Sequence, residues 1–274
     1  MMSTLRNEID ATAVSEGTVA LWWLGQAGYA LKTPAGTVAL IDPYLSNIVE
    51  ELYGQPRIVP QILDPATAHP DIVFTTHWHE DHFDIGSIAA FAAYTPTLFV
   101  GPSSVAARIT GRGIAAERVI AVGRGQTVEV RDIKVTGLFA RHEVAGFLAE
   151  DALGLLLDIG GLRIYHSGDT EYDARLHSVA ELRPDAAMIC MNGSGGCMNA
   201  HEAALLAWQL GSRLVYPNHF GMWAPQHYGP GATLDPAVFK QTYQRLGGTG
   251  AVRVPGVGAL EKLEPAASPA VHAN

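Results

Sequence analysis

Within six residues, His77-Trp78-His79-Glu80-Asp81-His82, the chain places three imidazoles and the Asp81 carboxylate where a buried strand gives way to a helix. The preceding run, Asp71 to Thr76 (DIVFTT), is short and nearly continuously apolar, as in a strand covered on both faces. Ile85 to Tyr94 (IGSIAAFAAY) reads as the helix that follows. Side chains alternate along an extended segment, so His77 and His79 face the same way. As the chain turns into the helix, Asp81 and His82 can swing toward the same space. Imidazole nitrogen and carboxylate oxygen are donors that zinc, manganese or iron accept. A chance H-x-H-x-D-H match arises in about one chain in a thousand of this composition. The motif is therefore a strong signal for a metal.

Three further residues share its context. His142 follows a strand-like run, Ile133 to Phe139; Asp169 follows Leu162 to His166; His219 follows Arg213 to Tyr216. Singly, an Asp after Gly is usually a turn residue, and a His at a strand end is more often just hydrogen-bonded. Jointly they supply what the cluster lacks, enough donors for two ions.

Strand-like runs also occur at Thr18 to Leu24, Gly28 to Lys32 and Thr37 to Ile41, separated by Gly and Pro turn signals. Others are Leu98 to Gly101, Thr127 to Val130 and Gly154 to Ile159, the last joined through Gly160-Gly161 to Leu162 to His166 as a hairpin. Helices are expected at Ser103 to Thr110, stopped by Gly111, at Ala200 to Leu210 and at Pro236 to Leu246. Asn199 followed by Glu202 predicts a capping box for the second of these. Trp22 and Trp23, adjacent on a strand, should face opposite sides. Two sheets packed face to face with helices outside would bury these runs. The expectation is a single α/β (α+β) domain over residues 1–264 and a loose tail over 265–274.

Composition removes several alternatives. Hydrophobic residues make up 48% of the 274, against 16% charged, so a sizeable core can form. The formal charge of -9 and the lack of a basic run argue against a nucleic-acid partner. Two cysteines, Cys190 and Cys197, could form one bridge but are no disulfide framework, and reduced thiols are expected. Met1 to Ala11 lacks the apolar core of a signal peptide, and no stretch approaches the ~20 apolar residues of a spanning helix. The expected setting is cytoplasmic, with no membrane partner; a homo-oligomer stays open.

The ordered set Asp42 (in Ile41-Asp42-Pro43-Tyr44), His77-x-His79-x-Asp81-His82, His142, Asp169 and His219 resembles the metallo-β-lactamase superfamily, over roughly residues 18 to 260. Weaker stretches, Val19 to Gly25, Phe99 to Pro102, Arg118 to Gly125 and Tyr165 to Thr170, are most similar to the L-ascorbate-6-phosphate lactonase-like branch. Arg141-His142-Glu143 departs from that branch and fits the general dinuclear hydrolases better. The resemblance implies a four-layer αββα sandwich with the site on one edge of the paired sheets. It implies two divalent ions, zinc or manganese, with iron as a further option. His77, His79 and His142 would hold the first; Asp81, His82 and His219 the second; Asp169 would bridge. Asp42, and His166 beside it, would orient ligands from behind.

The implied activity is that of a metal-dependent hydrolase whose activated hydroxide opens a small-molecule lactone or a related ester or amide, with Asp81 and Asp169 as catalytic carboxylates. Tyr44, Asn192, Trp223, His227 and Tyr228 flank the ligand loops and are candidates to touch substrate, as is His201 from its helix N-terminus. A nucleophilic serine is set aside, because Ser167 and Ser194 lack a full G-x-S-x-G elbow. The alternatives are a metal-dependent phosphodiesterase and a non-hydrolytic metal-binding protein; structural zinc sites are usually closed, which counts against the latter.

Overall fold

Strand β1 (Val19–Gly25) sets the layering. Val19, Leu21 and Trp23 enter one apolar cluster, while Ala20, Trp22 and Leu24 enter another, so the two-residue period sends alternate side chains into two separate cores. Trp22 and Trp23 part company as expected. The computed structural model describes residues 4–146 and 148–265. In it, β1 joins β2 (Gly28–Lys32), β3 (Val38–Ile41), β4 (Ile72–Phe74), β5 (Leu98–Gly101), β6 (Val119–Ala121) and β14 (Leu260–Leu263) in a seven-stranded sheet of order β14-β1-β2-β3-β4-β5-β6. The second sheet has the order β13-β12-β11-β10-β9-β8-β7. Its strands are β7 (Thr127–Val130), β8 (Ile133–Phe139), β9 (Leu153–Ile159), β10 (Leu162–His166), β11 (Ala186–Cys190), β12 (Leu214–Asn218) and β13 (Ala251–Val252).

Both sheets have the same plan of three antiparallel pairings followed by three parallel ones. Their inner faces share one core, where Leu21, Tyr29 and Ile72 of the first sheet meet the cluster containing Val135, Leu155 and Ile189 of the second. Helices α1 (Thr4–Ala11), α4 (Ile85–Ala93) and α5 (Ser103–Thr110) cover the outer face of the first sheet through Leu5, Ile9, Ile88, Phe91, Val105 and Ile109. The second sheet is covered by a 3-10 segment (Ala174–Leu182), α6 (Ala200–Leu210) and α7 (Pro236–Arg245). The result is the expected αββα sandwich. Two short helices, α2 (Ile48–Tyr53) and α3 (Pro65–Ala68), lie in the β3–β4 connection.

Local signals held where chemistry enforces them. The Asn199 side chain accepts from the backbone of His201 and Glu202, and Glu202 returns a bond to Asn199 N, completing the capping box. Two elements had no clear signal. The polar stretch before Thr12 forms α1, because Leu5 and Ile9 stand four apart on one face. Lys32 Nζ donates to the carbonyls of Ile9 and Asp10 at its end, and Trp22 Nε1 to Glu8. Strand β11 (AAMIC) has helix-favouring composition, yet sits fully buried between β10 and β12. Strand β12 runs two residues further than its apolar run suggested, through Pro217. That proline is tolerated because β13 pairs only with Leu214 and Val215. The residues from 266 onward, including His272, lie outside the described set, as does Phe147.

Candidate metal centre

Strands β3 and β4 run parallel in one sheet, and β8, β10, β11 and β12 share one direction in the other. Their C-terminal ends deliver Asp42, His77, His142, Asp169, Asn192 and His219 to a single rim. Open α/β sheets commonly bind ligands outside the carboxyl ends of parallel strands.

Two trios of donors form there. His77 Nε2 lies 3.0 Å from His79 Nδ1, which lies 2.9 Å from His142 Nε2. On the other side, His82 Nε2 and His219 Nε2 are 3.1 Å apart, and Asp81 Oδ2 is 3.5 Å from the first and 3.2 Å from the second. Within each trio the potential ligand atoms lie within 4.8 Å of one another. Asp169 stands between them, with Oδ2 3.3 Å from His82 and 3.9 Å from His142, and Oδ1 3.2 Å from His219. Asp169 Oδ1 is buried and makes no hydrogen bond of acceptable geometry. A buried carboxylate oxygen without a donor is costly unless something else compensates it. Nitrogens of facing imidazoles likewise gain little from each other. A pair of divalent cations would satisfy both, so the donor set fits them.

The partners behind these ligands fix their orientation. Asp42 Oδ1 accepts from Thr76 N (2.8 Å), and its Oδ2 accepts from Thr76 Oγ1 and His82 Nδ1, both at 2.7 Å. That leaves His82 Nε2 directed at the centre. His142 Nδ1 donates to Gly196 O at 3.1 Å, leaving its Nε2 for the first trio. The Asn192 amide lies 2.6 Å from His219 Nδ1. His166 is wholly buried; its Nε2 donates to Ala27 O (2.9 Å) and its Nδ1 accepts from Gly168 N (3.1 Å), which pins the turn ahead of Asp169. Gly168 has φ +58°, and a Cβ there would come within 2.4 Å of Leu153 O. Only glycine fits. Asp42 (φ 43°) and His219 (φ 62°) hold left-handed conformations without that licence, a strain typical of functional sites.

The two trios differ in charge. Burial, aided by neighbouring histidines, lowers the basicity of His77, and burial likewise lowers His142. Burial opposes protonation of His82 and His219 as well, but the Asp169 and Asp81 charges outweigh it and raise both. Burial would raise the carboxyls of Asp81 and Asp169, yet His82 and His219 hold them well below the usual range.

A cavity of about 290 Å³ opens onto the centre. Asn192, Trp223, His227 and Tyr228 line it. Tyr44 does not: it is buried behind, its ring 5.7 Å from that of Trp223. His201 does not either, since it is exposed and its Nδ1 lies 2.8 Å from Thr242 Oγ1 on α7. The helix N-terminus that suggested His201 points that side chain at a neighbouring helix instead. Two further residues carried no sequence signal. Gln26, buried in the β1–β2 turn, donates from Nε2 to Asp81 Oδ2 at 3.1 Å. Cys197 groups with Asp169 and His219 as a possible ligand; it and Cys190 are free and buried, and burial pushes the Cys197 thiol well up.

The family model of the beta-lactamase superfamily domain matches residues 20–219. A probable L-ascorbate-6-phosphate lactonase, UlaG, of Salmonella choleraesuis is 29% identical, covering 81% of this chain and 75% of that protein. Among solved structures, Igni18, a metallo hydrolase from Ignicoccus hospitalis, superposes with a TM-score of 0.72 at 24% identity, covering 91% of this chain and all of the other. An isothiocyanate hydrolase from Delia radicum gut bacteria gives a TM-score of 0.69 at 19% identity, covering 90% of this chain and 100% of that one.

Proposed function

The chain belongs to the beta-lactamase superfamily, and from that premise we propose that it is a dinuclear metal-dependent hydrolase opening a small-molecule lactone or a related ester or amide. The observation that carries this reading is two donor trios sharing Asp169 at the mouth of one cavity. A structural metal site has no need of an open approach. The lactone preference draws support from the name of the Salmonella relative. His77, His79 and His142 would hold one ion, and Asp81, His82 and His219 the other, with Asp169 touching both. Zinc or manganese suits these nitrogen and oxygen donors, and iron is compatible with them.

Bound divalent ions supply Lewis acidity and lower the pKa of a coordinated water toward neutrality. The protein's own part is placement. Asp81 and Asp169 would accept hydrogen bonds from the attacking water. Asp42, through Thr76 and His82, and Gln26, through Asp81, hold the donors in register. Addition of water to the carbonyl carbon breaks the acyl–oxygen bond of a lactone and leaves a hydroxy acid. Among the described residues no helix is long and apolar enough to cross a membrane.

The test is turnover by metal-reconstituted protein on parallel panels of lactones, amides and phosphodiesters. Hydrolysis of lactones or their ester and amide kin is expected. Activity confined to phosphodiesters would refute the reading, and silence on every panel would favour a metal-binding role without turnover.

A further inference from the structure

We infer that the part of the substrate that does not react is neutral and apolar, so that the preferred substrate carries a short hydrocarbon arm and no phosphate. This rests on the hydrolase reading above and narrows its substrate class. The wall of the 290 Å³ cavity is built from Val49, Val144, Trp223 and Tyr228, with Gln26, Gln55 and Asn192 as uncharged polar points. Such a lining gains free energy by removing hydrocarbon from water and offers a few donors and acceptors to orient a polar head. The volume falls at the small end of ligand pockets, enough for a ring with a short chain.

Apart from the groups that would hold the ions, the one carboxylate on this wall belongs to Glu80. The Tyr53 hydroxyl donates to it at 3.1 Å. The described lining residues include no Lys or Arg, and His227 is the one imidazole among them outside the two donor trios. A phosphate arm would lose water and meet Glu80 without the planar guanidinium or ammonium partner that such groups ordinarily require. Arginines near the rim are turned to other groups, with Arg57 Nη2 buried and unpartnered. Arg57 lies over the Tyr44 ring and donates to the carbonyls of Ser46 and Val59. A neighbouring cavity of about 550 Å³ contains three more. There Arg124 donates to the carbonyls of Ala140 and Glu150, Arg141 pairs with Glu143 and Glu171, and Arg175 with Asp173.

The experiment measures kcat/KM of the metal-loaded full chain on matched pairs of lactones, esters, amides and phosphodiesters, each with a terminal alkyl or a terminal phosphate arm. Within whichever class turns over, the alkyl member should win by at least about tenfold. Each added CH₂ should raise kcat/KM about fourfold until the cavity is filled. Gln55→Lys should narrow the gap, raising kcat/KM of the phosphorylated member relative to that of its alkyl partner. A phosphorylated member that equals or beats its alkyl partner overturns the inference, as does a flat response to chain length. Which class reacts tests the lactone reading separately, because the ratio within a class does not depend on it. Failure of every pair to react would overturn both.

Discussion

The two halves of the candidate metal centre are built from different chemistry. The first trio is three imidazoles, His77 and His79 on the segment leaving β4 and His142 on the β8–β9 connection, with basicity pushed down at His77 and His142. The second pairs two imidazoles with Asp81, and its histidines are pushed up by the carboxylates around them. A neutral imidazole is ready to ligate; a protonated one must first release its proton. On the proposed assignment the first half would be preorganised for an ion, whereas the second would exchange protons for one. Asp169 ties the two together and is the point at which the difference can be broken.

Asp169→Ala should have the largest effect. It removes the carboxylate that reaches both trios, so metal content measured by elemental analysis should fall for both ions and activity should be lost. Retention of two tightly held ions would show that the halves are independent. His79→Ala and His219→Ala should come next, and should separate. The first should empty the three-histidine half, and the second should empty the Asp81 half, each leaving roughly one ion per chain. If both variants lose the same ion, the division into trios is wrong. Asp42→Ala leaves every ligand present but frees Thr76 and His82, so it should weaken the second ion about 10- to 100-fold in competitive chelator titrations and spare the first.

The smallest effect is a proton count. His82 and His219 are raised, so in the ion-free protein they carry protons at pH values where an ordinary histidine, with a pKa of about 6.5, has begun to lose them. Affinity for the second ion should therefore climb as pH rises from mildly acidic toward neutral, with protons released on loading. In the first trio burial pushes His77 and His142 down, so those two should release fewer protons on loading over that window. Equal proton release in His219→Ala and the parent chain would contradict the assignment.

The division also explains what could be read from the amino-acid order. His77, His79, Asp81 and His82 sit in one short segment, where alternation along an extended chain and a turn into α4 decide their directions locally. His142, Asp169 and His219 were legible because each directly follows a strand whose apolar run is clear, and strands of one direction end at one rim. Gln26 and the cavity wall were not legible in this way. Val49, Gln55, Val144 and Trp223 come from turns and short helices whose positions depend on how the sheets pack, and nothing in their own spacing announces a shared cavity. His201 failed for the converse reason. Its place at the start of α6 is right, but the packing of α6 on α7 directs its ring to Thr242. Strand β11 was hidden by composition, since burial on both sides overrode the helical preference of alanine and methionine.

The central claim is most directly tested by anomalous diffraction from crystals of the metal-loaded protein, measured at the absorption edge of the bound metal. The account predicts two peaks, one enclosed by His77, His79 and His142 and one by Asp81, His82 and His219, with a carboxylate oxygen of Asp169 on each. A single peak, or ions seated away from Asp169, would contradict it.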